Sequence, residues 1–405
     1  MNRPTTIANP DSAYAWLMAA VAFVASFVVF GVIYSFGVFL KPMADEFHAN
    51  ATKASAFFSI TALVYYTLGA FTGRLTDRFG PRMIVTAGAI ALGLGLCLTA
   101  LTNDIWIGYL TYGIGVGIGA ACCYVPTLAI VGGWFVQRRN SALGVAAAGT
   151  GCGTLVLAPL AGTLIQRYGW RESDVFFGLA ATAILLGCAW VAKPPPASSA
   201  SKSASVYPLR SIFRSREFVM LYTSWFLATT ALFVPFVFLP AFARDHGASG
   251  VAAGALISVL GGASIVGRLA LVPIGDRFAA VPLFKFAVLM MAISYAIWLV
   301  SSSYESLIVF VAVLGLGYGS RISLVPSVLI ECFGLQNLGT MLGVFFTASG
   351  LSALLGPLLA GLFVDLTGSY KGAVLLAIST GVLGFVTIAP LSSGGQVERQ
   401  RWTAP

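Results

Sequence analysis

The stretch Gly115-Val116-Gly117-Ile118-Gly119-Ala120-Ala121-Cys122-Cys123-Tyr124-Val125-Pro126 returns two hundred residues later as Gly315-Leu316-Gly317-Tyr318-Gly319-Ser320-Arg321-Ile322-Ser323-Leu324-Val325-Pro326. Three glycines and a proline recur in register, each time within an apolar run. Further matches follow in the same order: Gly144 with Gly343, Pro159 with Pro357, and Gly169 with Gly368. The chain therefore reads as two parallel halves. Parallel halves of this kind occur in carriers that rock two bundles around a site near the bilayer midplane.

Composition agrees with a membrane setting. Of 405 residues, 58% are hydrophobic and 9% charged, against about a quarter charged in soluble domains. A spanning helix needs roughly 20 mostly apolar residues. Segments of that kind fall at 15–40, 53–73, 82–100, 105–130, 140–165, 174–192, 216–242, 251–273, 282–301, 305–330, 338–364 and 371–390. The main polar interruption starts at Lys193-Pro194-Pro195-Pro196 and continues, rich in Ser, Ala and Lys, to Arg216. Three prolines stop a helix and the remainder has a linker's composition. The expectation is an all-α membrane protein of twelve transmembrane helices in two pseudo-symmetric six-helix bundles. They cover 1–192 and 216–405 and are joined by a cytoplasmic linker at 193–215.

The net charge of +9 does not point to nucleic acid, because the bases are scattered between apolar segments. Most of them, including Arg74, Arg78, Arg82, Arg138 and Arg139, fall on the side of both termini. The positive-inside rule then places both termini in the cytoplasm, for a multi-pass protein of the plasma (inner) membrane. No cleavable signal is visible between Met1 and Trp16. The six cysteines lie in or beside apolar segments without ligand spacing, and the two histidines, His48 and His246, fall in predicted outer loops. No metal site, cofactor, disulfide framework or enzyme centre is expected, and nothing specifies an accessory subunit.

One residue stands out chemically. Arg268 lies in the apolar run Ala263-Ser264-Ile265-Val266-Gly267-Arg268-Leu269-Ala270-Leu271, with no carboxylate at helical spacing. A fixed charge in hydrocarbon costs several kcal/mol unless it is paired or hydrated. A guanidinium fork matches a carboxylate bidentately and keeps its proton. The economical partner is an anionic substrate; the bland alternative is an Arg snorkelling to phosphate headgroups. Ser264 sits one turn earlier. Arg321, three residues after Tyr318, is a second intramembrane base; it would serve a dicarboxylate, or reach Glu331 and the interface. Tyr34, Tyr124 and Tyr318 are candidates to line a cavity or to be buried packing.

Gly73-Arg74-Leu75-Thr76-Asp77-Arg78-Phe79-Gly80-Pro81-Arg82 resembles the loop signature of the major facilitator superfamily, with Pro81 as a departure, and Gly275-Asp276-Arg277-Phe278 is its weaker echo. An acid at a helix end can latch onto a base or helix N-terminus of the other bundle. Gly73, Asp77, Arg78, Arg82, Arg138, Asp276 and Arg277 are the candidate latch.

Two further stretches resemble the monocarboxylate porter family within that superfamily: Asn9-Pro10-Asp11-Ser12-Ala13-Tyr14-Ala15-Trp16 with Tyr34 to Leu40, and Trp134-Phe135-Val136-Gln137-Arg138-Arg139 continuing to Gly149. The resemblance assigns Arg268 to the substrate carboxylate and implies a proton as co-substrate. It also marks departures. Ser264 stands where animal members carry an Asp, no first-span Lys is present, and the eleventh-span Lys of oxalate exchangers is missing near Ala348. The expected function is alternating-access transport of a small monocarboxylate such as lactate or pyruvate, coupled to protons. The alternatives are an anion exchanger of the oxalate/formate type and, from Ala158-Pro159-Leu160-Ala161-Gly162, a drug/proton antiporter.

Overall fold

The computed structural model describes residues 12–135, 138–194, 209–270, 279–301, 303–333 and 338–392. Among them are twelve long helices: α1 (Ala13–Glu46), α2 (Ala51–Phe79), α3 (Pro81–Leu101), α4 (Ile105–Trp134), α5 (Arg139–Tyr168), α6 (Trp170–Val191), α7 (Arg216–Asp245), α8 (Gly250–Ala270), α9 (Ala280–Val300), α10 (Tyr304–Phe333), α11 (Leu338–Thr367) and α12 (Lys371–Ile388). Eleven are long and apolar enough to cross a membrane; α2, whose last turns carry Arg74, Asp77 and Arg78, is the twelfth. Large apolar side chains point outward from the assembly, among them Leu101, Trp190 and Val300, each at least three-quarters exposed. Such a surface suits lipid rather than water.

The helix ends follow local chemistry. Ser12, Asn50 and Ser215 cap α1, α2 and α7 by accepting from the amides of Ala15, Lys53 and Phe218, which satisfies donors that a helix leaves open. Several helices outrun the expected spans. α1 continues past Pro42 to Glu46, because hydropathy marks where hydrocarbon ends and not where hydrogen bonding stops. α2 likewise absorbs Gly73 to Phe79, so the stretch expected as a loop is the last two turns of a helix. The turn itself is Gly80 alone, at φ +80°, followed by Pro81 as the first residue of α3, a favoured position for proline. Gly169 and Gly368, partners in the internal repeat, both have positive φ, which explains why glycine recurs there.

The packing repeats as the sequence does. α1 lies against α5 and α7 against α11; α3 lies against α6 and α9 against α12. The glycines of α4 approach α2 and α3 closely, at Thr61 and Leu92, while those of α10 approach α8 and α9 at Leu260 and Ala287. Between the bundles, α2 packs on α11 and α5 on α8, one contact being the image of the other, and α1 meets α7. The result is a two-bundle, all-α fold with its seam along these three pairs. Part of α4, Tyr109–Val116, is π-helical.

Candidate functional site

A cavity of about 180 Å³ lies on the seam, bounded by α1, α2, α4 and α5 on one side and α7, α8, α10 and α11 on the other. Its wall is mostly rings. Phe30 of α1 meets Tyr124 of α4 edge-on at 4.7 Å and Tyr65 of α2 at 5.8 Å. From the other bundle come Trp225 and Phe345, 5.6 Å apart, with Tyr318. Tyr34, Tyr124 and Tyr318, all expected from the sequence, line this space.

Arg268 lines it too and is the charged residue of the described lining. Its Nη1 donates to the carbonyl of Ala147 at 2.9 Å, across the seam from α8 to α5. Its Nε is buried without a hydrogen-bond partner among the described residues. The Tyr318 ring centre lies 5.9 Å from Cζ. Arg268 therefore faces the passage between the bundles, not the lipid headgroups, and has donors that no described residue accepts.

Two expected ligands lie elsewhere. Ser264 is 1% exposed, donates to Gly261 on its own helix at 2.7 Å, and lies where Gly319 of α10 comes closest. Residues four apart share a helix stripe, but only the long arginine reaches the cavity; the serine stays in the α8–α10 seam. Arg321 is also 1% exposed and outside the lining. It donates to Thr229 Oγ1 at 3.0 Å and to the Trp225 carbonyl at 3.5 Å, with its guanidinium 4.1 Å from the Trp225 ring centre. It stands behind the wall, not in it. Nor does it reach Glu331, which accepts from the Ala280 and Val281 amides and caps α9.

The candidate latch is partly visible. Arg82 donates from Nε to the Ala192 carbonyl at 2.9 Å, within its own bundle, and Arg78 sits over the Phe79 ring. Gly73 has open space around it, and Arg138 is exposed. The Asp77 side chain, and all of Asp276 and Arg277, lie outside the described residues.

The described inter-bundle charge contacts are at the opposite end. Lys41 of α1 pairs with Asp245 of α7, and Tyr370 donates to the same carboxylate at 3.1 Å. Burial, then the Asp245 charge, push the Tyr370 hydroxyl well above its ordinary value, so it stays a donor. Asp365 of α11 accepts from the amides of Ala51 at 2.8 Å and Thr52 at 3.0 Å, capping α2 from the other bundle. Gly37 lies so close to the Phe236 carbonyl that a Cβ there would clash. The seam is thus closed at the end away from the linker. Sequence reading missed these contacts because each acid faces its partner only across the fold. It also missed Asp174, expected at the outer edge of a span: the carboxylate is 1% exposed, and Oδ2 has no partner among the described residues.

A family model described as Major Facilitator Superfamily matches residues 22–299 and 226–401. The cow protein "Monocarboxylate transporter 13" is 31% identical over 372 residues, covering 91% of this chain and 87% of its own length. Rat "Monocarboxylate transporter 3" is 30% identical over 397 residues, 94% and 80% of the two chains. Among solved structures, a bacterial homolog of the human lysosomal transporter Spinster, in an inward-facing and unoccupied conformation, superposes with a TM-score of 0.75. It is 16% identical and covers 94% of this chain and 96% of that one; this likeness concerns the fold alone. A two-bundle membrane fold around a central cavity defines a transporter, not an enzyme. The chain belongs to the major facilitator superfamily and carries out secondary active transport by alternating access.

Proposed function

We propose that this transporter belongs to the monocarboxylate branch of its superfamily and moves a single carboxylate bound at Arg268. The observation that carries the proposal is a guanidinium that lines an aromatic cavity whose described lining includes no acid. A monoanion balances one guanidinium. A dicarboxylate would leave its second charge among rings, since Arg321 is committed behind the wall to Trp225 and Thr229. The monocarboxylate transporters at about 30% identity support the same substrate class. Lactate and pyruvate, the acids expected from the sequence, are its small members.

The cycle follows from the seam. With the termini in the cytoplasm, as the bases indicate, the closed end faces outward and the cavity serves the inner side of the plasma membrane. A bound carboxylate neutralises the Arg268 charge and so weakens its charge-assisted bond to the Ala147 carbonyl, which loosens a tie between the bundles. We assign the Gly73–Arg82 stretch with Asp276, Arg277 and Arg138 to the latch of the opposite state, by the acid-to-helix-end chemistry that Asp365 uses at the other end.

Proton symport is the coupling that the family resemblance implies. One observation favours exchange instead. In the unloaded carrier the Arg268–Ala147 bond spans the bundles, and a hydrogen bond to a charged group is worth about 1.5–3 kcal/mol. Reorientation without a bound anion must break it. Proteoliposomes separate the two: uptake driven by an imposed pH gradient, with no internal anion, supports symport, whereas counterflow without a gradient supports exchange. Absence of any carboxylate uptake or binding would overturn the assignment.

A further inference from the structure

The chemistry of the cavity wall narrows the substrate further, on the reading that Arg268 holds a carboxylate. Rings from both bundles face one space. Phe30, Tyr65 and Tyr124 are in mutual contact on one side, Tyr65 and Tyr124 at 6.1 Å and each meeting Phe30 nearly perpendicular; Trp225, Tyr318 and Phe345 come from the other. One polar group beside them is engaged. The Ser349 hydroxyl accepts from Trp225 Nε1 at 2.8 Å and donates to the Phe345 carbonyl at 3.2 Å. A small hydroxy acid on Arg268 would leave most of the rings facing water.

Size points the same way. An apolar cavity of about 150 Å³ accepts benzene, and this one measures about 180 Å³. Edge-on or offset ring pairs add roughly two- to tenfold in affinity each, beyond the area they bury. Arg268 sits at the ring wall, 5.9 Å from the Tyr318 centre and within electrostatic reach of Tyr124. A carboxylate on this guanidinium would therefore carry an attached ring into the wall.

We propose that the transporter's preferred substrate is an aromatic monocarboxylate, with its carboxylate on Arg268 and its ring between Tyr124 and Phe30 on one side and Phe345 on the other.

The test is equilibrium binding to the purified full chain with labelled phenylacetate, cyclohexylacetate and L-lactate. Phenylacetate is expected to bind at least tenfold more tightly than lactate and about threefold or more over cyclohexylacetate. Tyr124→Leu should abolish the preference over cyclohexylacetate, and Tyr124→Phe should retain it. Should Tyr124→Leu fail a melting check, Phe345→Leu serves, because it removes the ring that faces the substrate from the other bundle; the preference should fall at least twofold. Lactate binding as tightly as phenylacetate, or cyclohexylacetate matching it, overturns the aromatic assignment and leaves the monocarboxylate reading standing. Absence of binding by all three overturns both.

Discussion

Two arginines in apolar helices have opposite fates, and geometry separates them. Arg268 lines the cavity with one donor on Ala147 and a buried Nε with no partner in the described chain, and in the proposed function its remaining donors take the carboxylate. Two charge-assisted hydrogen bonds are worth about 3–6 kcal/mol together. Arg268→Ala should weaken carboxylate binding at least about a hundredfold, and Arg268→Lys should recover little, because an ammonium lacks the fork. Binding within tenfold of wild type in Arg268→Ala would mean that the anion sits elsewhere. Arg321 also has a buried Nε without a partner, but it lies outside the cavity lining, packed against Trp225 and donating to Thr229, with no carboxylate partner among the described residues. A buried charge is often replaced by apolar volume at no loss of stability. Arg321→Met should therefore melt no lower than wild type and keep the preference for mono- over dicarboxylates. A switch in that preference would restore Arg321 to the substrate site.

At the scale of elements, the closed end rests on unequal contacts. Lys41–Asp245 joins two partly exposed side chains, and pairs of that kind contribute about 0–1 kcal/mol. Asp365 satisfies two amides at the start of α2, and losing a helix cap costs about 0.5–2 kcal/mol. Asp365→Ala should shift the population toward opening at that end by roughly threefold, toward the lower limit because the residue is exposed. Lys41→Ala should shift it less. Distances between spin labels on α2 and α11 would read both. A larger effect from Lys41→Ala would reverse the ranking. The interior of α1 was legible as a span, but its end was not, since Pro42 and the polar Lys41 lie beyond the hydrocarbon while backbone hydrogen bonding continues to Glu46.

For the whole molecule, the same seam predicts sidedness. Ser349 lines the cavity. A cysteine placed there, with the six native cysteines replaced, should react with a membrane-impermeant reagent from the side of the termini at least tenfold faster than from the other. Equal rates from both sides would contradict a seam closed at one end. Excess substrate should slow that reaction, and Arg268→Ala should remove the protection.

The sequence by itself determined the twelve-span, two-bundle architecture, because hydrophobic length and the glycine–proline repeat are written locally and survive any packing. It also singled out Arg268, since a charge within an apolar run is visible without neighbours. Tertiary structure alone decided which side chains share the cavity. Ser264 and Arg321 sit at plausible spacings yet turn into helix seams, and the Asp365 cap and the aromatic wall join residues hundreds of positions apart. The physical reason is that helix periodicity gives a residue's face, whereas the rotation and crossing of helices decide what that face meets.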